Sequence, residues 1–349
     1  MGLRQYIIKR TIYSLILLLF VLLLNFFIFE AMPGDPLMAY YQRVSNTSKE
    51  LAEKIREQFG LDRPVSEKLF LYMQRMLTWN FGDSLLTRGP IAPEIQYRLG
   101  NTLLLMGTSS ILAITIGTIL GVLAANKRGK PLDSTVVLLA LVTYALPTFW
   151  MGLMLQSILG LQLKWLPVSG SNYIYPINPL QKPLDRLGQF LLVDVLGGNI
   201  QTPDPLTFAV GKSIHMFLPV TVLFLFSYGG YLLLARATML ETITEDYVVT
   251  AKAKGLKQRT ILFKHVLKNA SLPIITNAAI TLGFILSGAI ITESVFNWEG
   301  LGTFLWNAIL SQDAPIIQTL FYIIALCVII ANFIADLLYG VIDPRIKYG

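Results

Sequence analysis

Residues able to do chemistry are few in this sequence, and their spacing argues against a reaction site. The string FAVGKS at 208–213 ends like a phosphate-binding loop, but the first glycine of G-x-x-x-x-G-K-S falls on Leu206, so the backbone cradle for a phosphate is missing. The two histidines, His215 and His265, have no carboxylate or second histidine at metal-ligand spacing. Cys327 is the one cysteine, which excludes an intrachain disulfide, a thiolate metal site and a dithiol redox pair. No G-x-S-x-G elbow occurs. Two glycosylation-type tripeptides, at Asn46 and Asn269, read as coincidences of a three-residue pattern.

Residues 242–256, around the string DYVVTAKAKGL (246–256), do have the spacing of a functional element. Thr242 and Glu245 stand at capping-box spacing, and Glu245 and Asp246 place negative charge in a first helical turn. Lys252 and Lys254 place positive charge in the last turn, and Gly255 suits the position just past the helix end. A short helix is therefore predicted. Tyr247, Ala251 and Gly255 fall on one face, an aromatic anchor followed by two small residues that let a partner approach closely. Two readings fit: a handle gripped by a soluble motor, or an ordinary connector packed on its own protein, whose glycine stops the helix.

Both flanks of this element are strongly apolar. Only 14% of residues are charged against about 25% in soluble domains, so much of the surface must face lipid. Apolar segments at 11–30, 102–125, 135–162, 214–235, 272–292 and 316–340 each reach the roughly 20 residues that a spanning helix needs. The expected fold class is an all-α polytopic membrane helix bundle. The first segment follows Lys9 and Arg10, as in a signal peptide, but its apolar run is too long for a leader and no A-x-A site follows; it reads as a retained anchor. Short segments 126–134 and 236–271 are dense in Lys and Arg, which places them and both termini on the cytoplasmic side, with the longer segments 31–101 and 163–213 outside. The net charge of +7 then reflects topology and anionic lipid neighbours, and no nucleic acid partner is needed.

Within the first outer segment, Leu51, Ile55 and Phe59 make an apolar stripe ended by Gly60. Ser66 can cap a second stripe of Leu69, Phe70, Met73 and Leu77, giving amphipathic helices outside the bilayer. Residues 163–213 are rich in proline and glycine without a sustained period, a surface that either receives a soluble delivery protein or caps the bundle. In the membrane, Gly117 and Gly121 have GxxxG spacing, and Gly283 with Ser287 has small-xxx-small spacing; both favour close helix contacts. Pro147 should kink or interrupt its segment, as a hinge or as a fixed bend. No Lys, Arg, Asp or Glu occupies the middle of a segment, so the buried relay common in ion-driven pumps is missing and the driving energy must enter from elsewhere. Asn277, Thr281 and Gly288, with Asn332, could line a mildly polar pathway; interhelical hydrogen bonding is the other use for such side chains.

Nine strings in order carry a resemblance to a known family: MPGDP (32–36), FGLDRPV (59–65), NFGDS (80–84), RLGNTLLL (98–105), ALPTFWMGL (145–153), WLPVSG (165–170), DYVVTAKAKGL, HVLKNASLPI (265–274) and ESVFNWEGLG (293–302). Over nearly its whole length the chain resembles the permease subunits of the oligopeptide, dipeptide and nickel class of ABC importers, specifically the B-type member of the pair. The resemblance implies the type I ABC importer permease fold, with six transmembrane helices and cytoplasmic N and C termini, in a bacterial or archaeal inner membrane. It divides the chain into 1–97, a transmembrane helix plus an external helical segment, and 98–342, an ABC type-1 transmembrane domain with a cytoplasmic coupling loop at 236–271.

The family's cytoplasmic EAA motif with its following glycine falls on Val249, Thr250, Ala251 and Gly255. The glutamate and first alanine are absent here, and Leu272-Pro273 lies further downstream than in the general pattern. The resemblance turns the connector into a docking loop and implies contact with an ATP-binding subunit through Tyr247, Val248, Thr250, Ala251, Ala253, Lys254, Gly255 and Leu256. It implies no enzyme activity and no cofactor in this chain, ATP and Mg being bound by partner subunits. Implied partners are a homologous C-type permease, two ATP-binding subunits or domains, an external substrate-binding protein and membrane lipid. The implied substrate is an oligopeptide or dipeptide, with nickel or a metal chelate as the alternative. A secondary transporter would need repeated hydropathy between halves, which is not evident, and a membrane enzyme a polar catalytic cluster.

Overall fold

The computed structural model describes residues 3–31, 62–85, 87, 89–171, 205–285 and 289–342. Among the described residues the chain is helical, apart from turns and one isolated bridge between Asp83 and Pro90. The helices are α1 (Leu3–Glu30), α2 (Val65–Leu77), α3 (Ile91–Asn126), α4 (Pro131–Ala145), α5 (Thr148–Leu155), α6 (Pro205–Thr242) and α7 (Asp246–Ala253). They continue with α8 (Leu267–Phe284), α9 (Ile290–Val295), α10 (Leu301–Ser311) and α11 (Ala314–Ile342). A π-helix, Gln156–Gln162, extends α5, and a second, Ile261–Val266, leads into α8.

Four helical stretches among the described residues are long and apolar enough to cross a membrane: Gln5–Glu30, Ile91–Asn126, Ala209–Thr242 and Ala314–Ile334. The pair Pro131–Ala145 and Thr148–Gln162, bent by 100°, makes a fifth if taken as one span. Leu146 and Pro147 are both extended at the bend, as expected where a proline removes a donor and forces its predecessor out of the helical region. The sequence predicted six spans. Its fifth, 272–292, does not form one apolar rod: α8 begins earlier, takes in polar Lys268, Asn269 and Asn277, and ends at Phe284, while α9 starts anew at Ile290.

Helices α3 and α6 approach each other closely, and the predicted glycine pair makes that possible. A Cβ on Gly117 would lie 2.6 Å from the Tyr228 carbonyl oxygen, and one on Gly121 2.6 Å from that of Leu232. Only a bare backbone fits there. Ser287 and Gly288 lie outside the described residues, as do Asn46 and the Leu51–Phe59 stripe.

Helix α1 packs antiparallel to α11. Arg10 pairs with Asp336 at 2.8 Å near one end, and Asn25 Nδ2 donates to the Gln318 carbonyl at 2.9 Å nearer the other. Helix α2 is capped by Pro64, not Ser66, and its buried face is Tyr72 and Met76, with Phe70 and Leu77 exposed. The difference has a local cause: Asn25 also donates to the Tyr72 hydroxyl at 2.9 Å, and Lys68 pairs with Glu30 at 2.9 Å, which rotates α2 onto the end of α1. Burial pushes the Tyr72 phenol above its ordinary range. Helix directions and these contacts gather Arg10, Asn126, α7 and Asp336 at one end of the bundle. Residues 62–85, 169–171 and 293–303 lie at the other.

Candidate functional site

Helix α7 spans the predicted residues, but its start differs in detail. Glu245 is the N-cap, with extended backbone and no side-chain cap bond. Thr242 is the last residue of α6, and its hydroxyl donates backwards to the Thr238 carbonyl at 2.7 Å, so the capping box is not formed. The end is as the sequence predicted. Gly255 has φ +71°, its N–H donates to the Lys252 carbonyl at 2.9 Å, and the Leu256 N–H donates to the Ala251 carbonyl at 3.4 Å. That pair of bonds is a Schellman turn, which closes an eight-residue helix too short to persist alone.

Tertiary packing holds α7 in place. Val248 is fully buried and Ala251 nearly so, in a cluster with Val122 and Ala125 of α3, Met239 of α6, Ile261, Leu262 and Val266 of the lead-in to α8, and Ala270. Ala251 therefore does not share an outward face with Tyr247 and Gly255. Turning inward at 248 and 251 is the i, i+3 geometry of a helix seated on its own protein. The outward surface carries Tyr247, Val249, Thr250, Lys252, Ala253, Lys254, Gly255 and Leu256. Val249, which is absent from the predicted contact set, is 60% exposed and the barest apolar side chain of the helix. Its signal in the sequence was an apolar residue at the motif's glutamate position.

Beside α7, Arg236 of α6 grips the buried Asp133 of α4 with two hydrogen bonds, and the Gly129 N–H adds a third at 3.1 Å. Gln258 Nε2 reaches Asn126 Oδ1 at 3.3 Å. These bonds join the end of α3 to the segment leading into α8, and α4 to α6, beside the cluster that seats α7. The exposed side of α7 faces away from this packed base.

Of the candidate pathway residues, Asn277 and Thr281 meet at one side chain, Tyr231. Thr281 accepts a 2.7 Å hydrogen bond from the Tyr231 hydroxyl of α6, which also lies 3.5 Å from the Asn277 carbonyl. Thr281 thus takes the interhelical role. Asn277 is half-buried on α8, Asn332 is exposed on α11, and Gly288 falls outside the described residues. His215 Nδ1 lies 3.1 Å from the Ser169 carbonyl. Among the described residues, no group of three His, Cys, Asp or Glu could hold a metal ion.

At the far end, a buried carboxylate organises the ESVFNWEGLG segment in a way the sequence did not reveal. Glu293 is fully buried; Thr102 Oγ1 donates to it at 2.9 Å and the Thr303 N–H at 3.0 Å. Trp298 Nε1 donates to the Asn101 carbonyl at 3.1 Å, Asn101 Nδ2 to the Glu299 carbonyl at 2.8 Å, and Lys212 Nζ to Asn101 Oδ1 at 2.6 Å. Tyr97 and Ser171 hydroxyls both donate to the Glu299 carboxylate at 2.8 Å.

Among the described residues, long apolar helices pack around a short exposed helix at one end of the bundle. Residues 117–348 match the family described as binding-protein-dependent transport system inner membrane component, and residues 3–99 match the corresponding N-terminal family. The chain belongs to this family and is a multi-pass inner-membrane permease component. It is 33% identical to the oligopeptide transport system permease protein AppB of Bacillus subtilis (strain 168), over 98% of this chain and 99% of the relative. The di/tripeptide transport system permease protein DppB of Pseudomonas aeruginosa (strain UCBPP-PA14) is 35% identical over 94% of each. The dipeptide transport system permease protein DppB of Escherichia coli (strain K12) is 34% identical over 99% of each.

Proposed function

We propose that the chain is the B-type half of the translocation channel of an ATP-driven importer for short peptides, coupled to its motor through α7. The carrying observation is that α7 is anchored by Val248 and Ala251 to three long helical elements while its other side stays open to a partner. Peptide as substrate rests on the names of the three relatives; nickel is not favoured by them. In this reading a homologous C-type permease completes the channel, two ATP-binding subunits bind ATP and Mg, and an external binding protein delivers the peptide. Residues 1–97 form the added N-terminal helix and external segment, 98–342 form the channel domain with 236–271 as its coupling loop, and both termini face the cytoplasm.

The motor acts by differential binding. ATP-bound subunits that hold the two coupling loops together favour the outward-open bundle, and hydrolysis releases it to the inward-open one. Asn277 and Thr281 lie beside the α6–α8 seam that such rocking would shear. The test is purification of the tagged chain from its native membrane, followed by reconstitution in liposomes. ATP-binding subunits should copurify, and peptide uptake should need both ATP and the binding protein; uptake by the chain alone without ATP would contradict the reading.

A further inference from the structure

Thr102 and Val122 lie on one uninterrupted helix, α3, about 30 Å apart by helical rise. Val122 is in the cluster that seats α7, whereas Thr102 is bonded to Glu293. The Thr102 hydroxyl works in both directions: it donates to Glu293 Oε1 and accepts the Leu301 N–H at 2.8 Å. The other carboxylate oxygen takes the Thr303 N–H, so one carboxylate and one hydroxyl fix the start of α10 against α3. The corner is built tightly around the acid: a Cβ on Gly302 would lie 2.8 Å from Glu293 Oε2, and one on Gly300 would run into the same carboxylate. A buried carboxylate so held is rigid, because no water can replace a lost donor.

We propose that Glu293, through Thr102, is a positioning residue for the transport cycle: it fastens the α9–α10 corner to the far end of α3, so displacement of the coupling helix moves that corner as one body with α3. This rests on the functional reading above. Glu293 touches neither nucleotide nor motor, and its role is to make the far end of the bundle follow the near end.

The experiment uses the whole reconstituted complex and compares Thr102→Val, Thr102→Ser and Glu293→Gln with the unsubstituted chain. ATPase activity is read without and with substrate-loaded binding protein, together with peptide uptake. With Thr102→Val and Glu293→Gln, the ATP-binding subunits should still copurify and basal ATPase should hold, while stimulation by the binding protein falls about tenfold, within the span of allosteric couplings. Thr102→Ser should restore stimulation. Unchanged stimulation and uptake in Thr102→Val would overturn the proposal. Loss of assembly in all three variants would also overturn it, reducing the contact to a folding role. Failure of the unsubstituted chain to bring down any ATP-binding subunit would instead count against the functional reading itself.

Discussion

Arg236 holds Asp133 through two parallel hydrogen bonds of 2.7 and 2.8 Å, joining the last two turns of α6 to the start of α4. The carboxylate is buried and the guanidinium 28% exposed. Losing one partner strands the other, so Asp133→Asn should cost near the lower end of the about 3–5 kcal/mol seen for broken buried pairs. Thermal unfolding in detergent should show a lower midpoint for Asp133→Asn and for Arg236→Gln, with the double variant less than additive. Additive losses would show that the clamp carries no coupling of its own.

Gly117→Ala and Gly121→Ala each place a methyl within 2.6 Å of an α6 carbonyl oxygen, whereas Gly107→Ala, on the same helix, meets nothing within 4 Å. The first two should lower stability by about 1–3 kcal/mol as overpacked sites, and the third should leave it level or raise it. Unfolding midpoints of the three variants, measured side by side, check this. Equal midpoints would mean α3 and α6 are not in direct backbone contact.

Substituting Gly255 separates chain from partner. A Cβ there meets no atom of this chain within 4 Å, so Gly255→Ala carries only the left-handed backbone cost, about 1–2 kcal/mol. Gly255→Trp should leave insertion intact yet abolish uptake and weaken copurification of the ATP-binding subunits. Normal peptide uptake in cells with Gly255→Trp would remove this residue from the docking surface.

Val248 and Val249 are neighbours with opposite duties. Val248→Ala opens space in a closed cluster and should cost about 2 kcal/mol of stability. Val249→Ala should leave the unfolding midpoint unchanged while weakening motor binding, as loss of an exposed apolar anchor does. The paired readout is unfolding midpoint against copurification yield; the reverse pattern would mean that α7 is seated the other way round.

The elements governed by local rules were legible in the sequence. Long apolar runs gave α1, α3, α6 and α11, Pro147 gave the bend, Gly117 and Gly121 gave the tight crossing, and Gly255 gave the end of α7. What escaped depended on distant neighbours. An eight-residue helix has too little periodicity to say which face is inward, so spacing alone puts Ala251 outward, whereas it shares a buried cluster with Met239 and Val122. Glu293 sat one residue past an apolar segment, and its partner Thr102 is 191 positions away, a pairing that spacing cannot reveal. The fifth segment was counted by its apolar residues, although the helix that forms starts among polar ones at Leu267.

Contact between the outward face of α7 and an ATP-binding subunit is most directly measured by cross-linking from Val249→Cys in the assembled complex. Cys327 is buried, so the introduced thiol is the accessible one among the described residues. A short thiol-reactive cross-linker should join this chain to the ATP-binding subunit, and Ile111→Cys, on the exposed apolar face of α3, should give no such product. Absence of the product from Val249→Cys, or its labelling in intact cells by a reagent that cannot cross the membrane, would contradict the account.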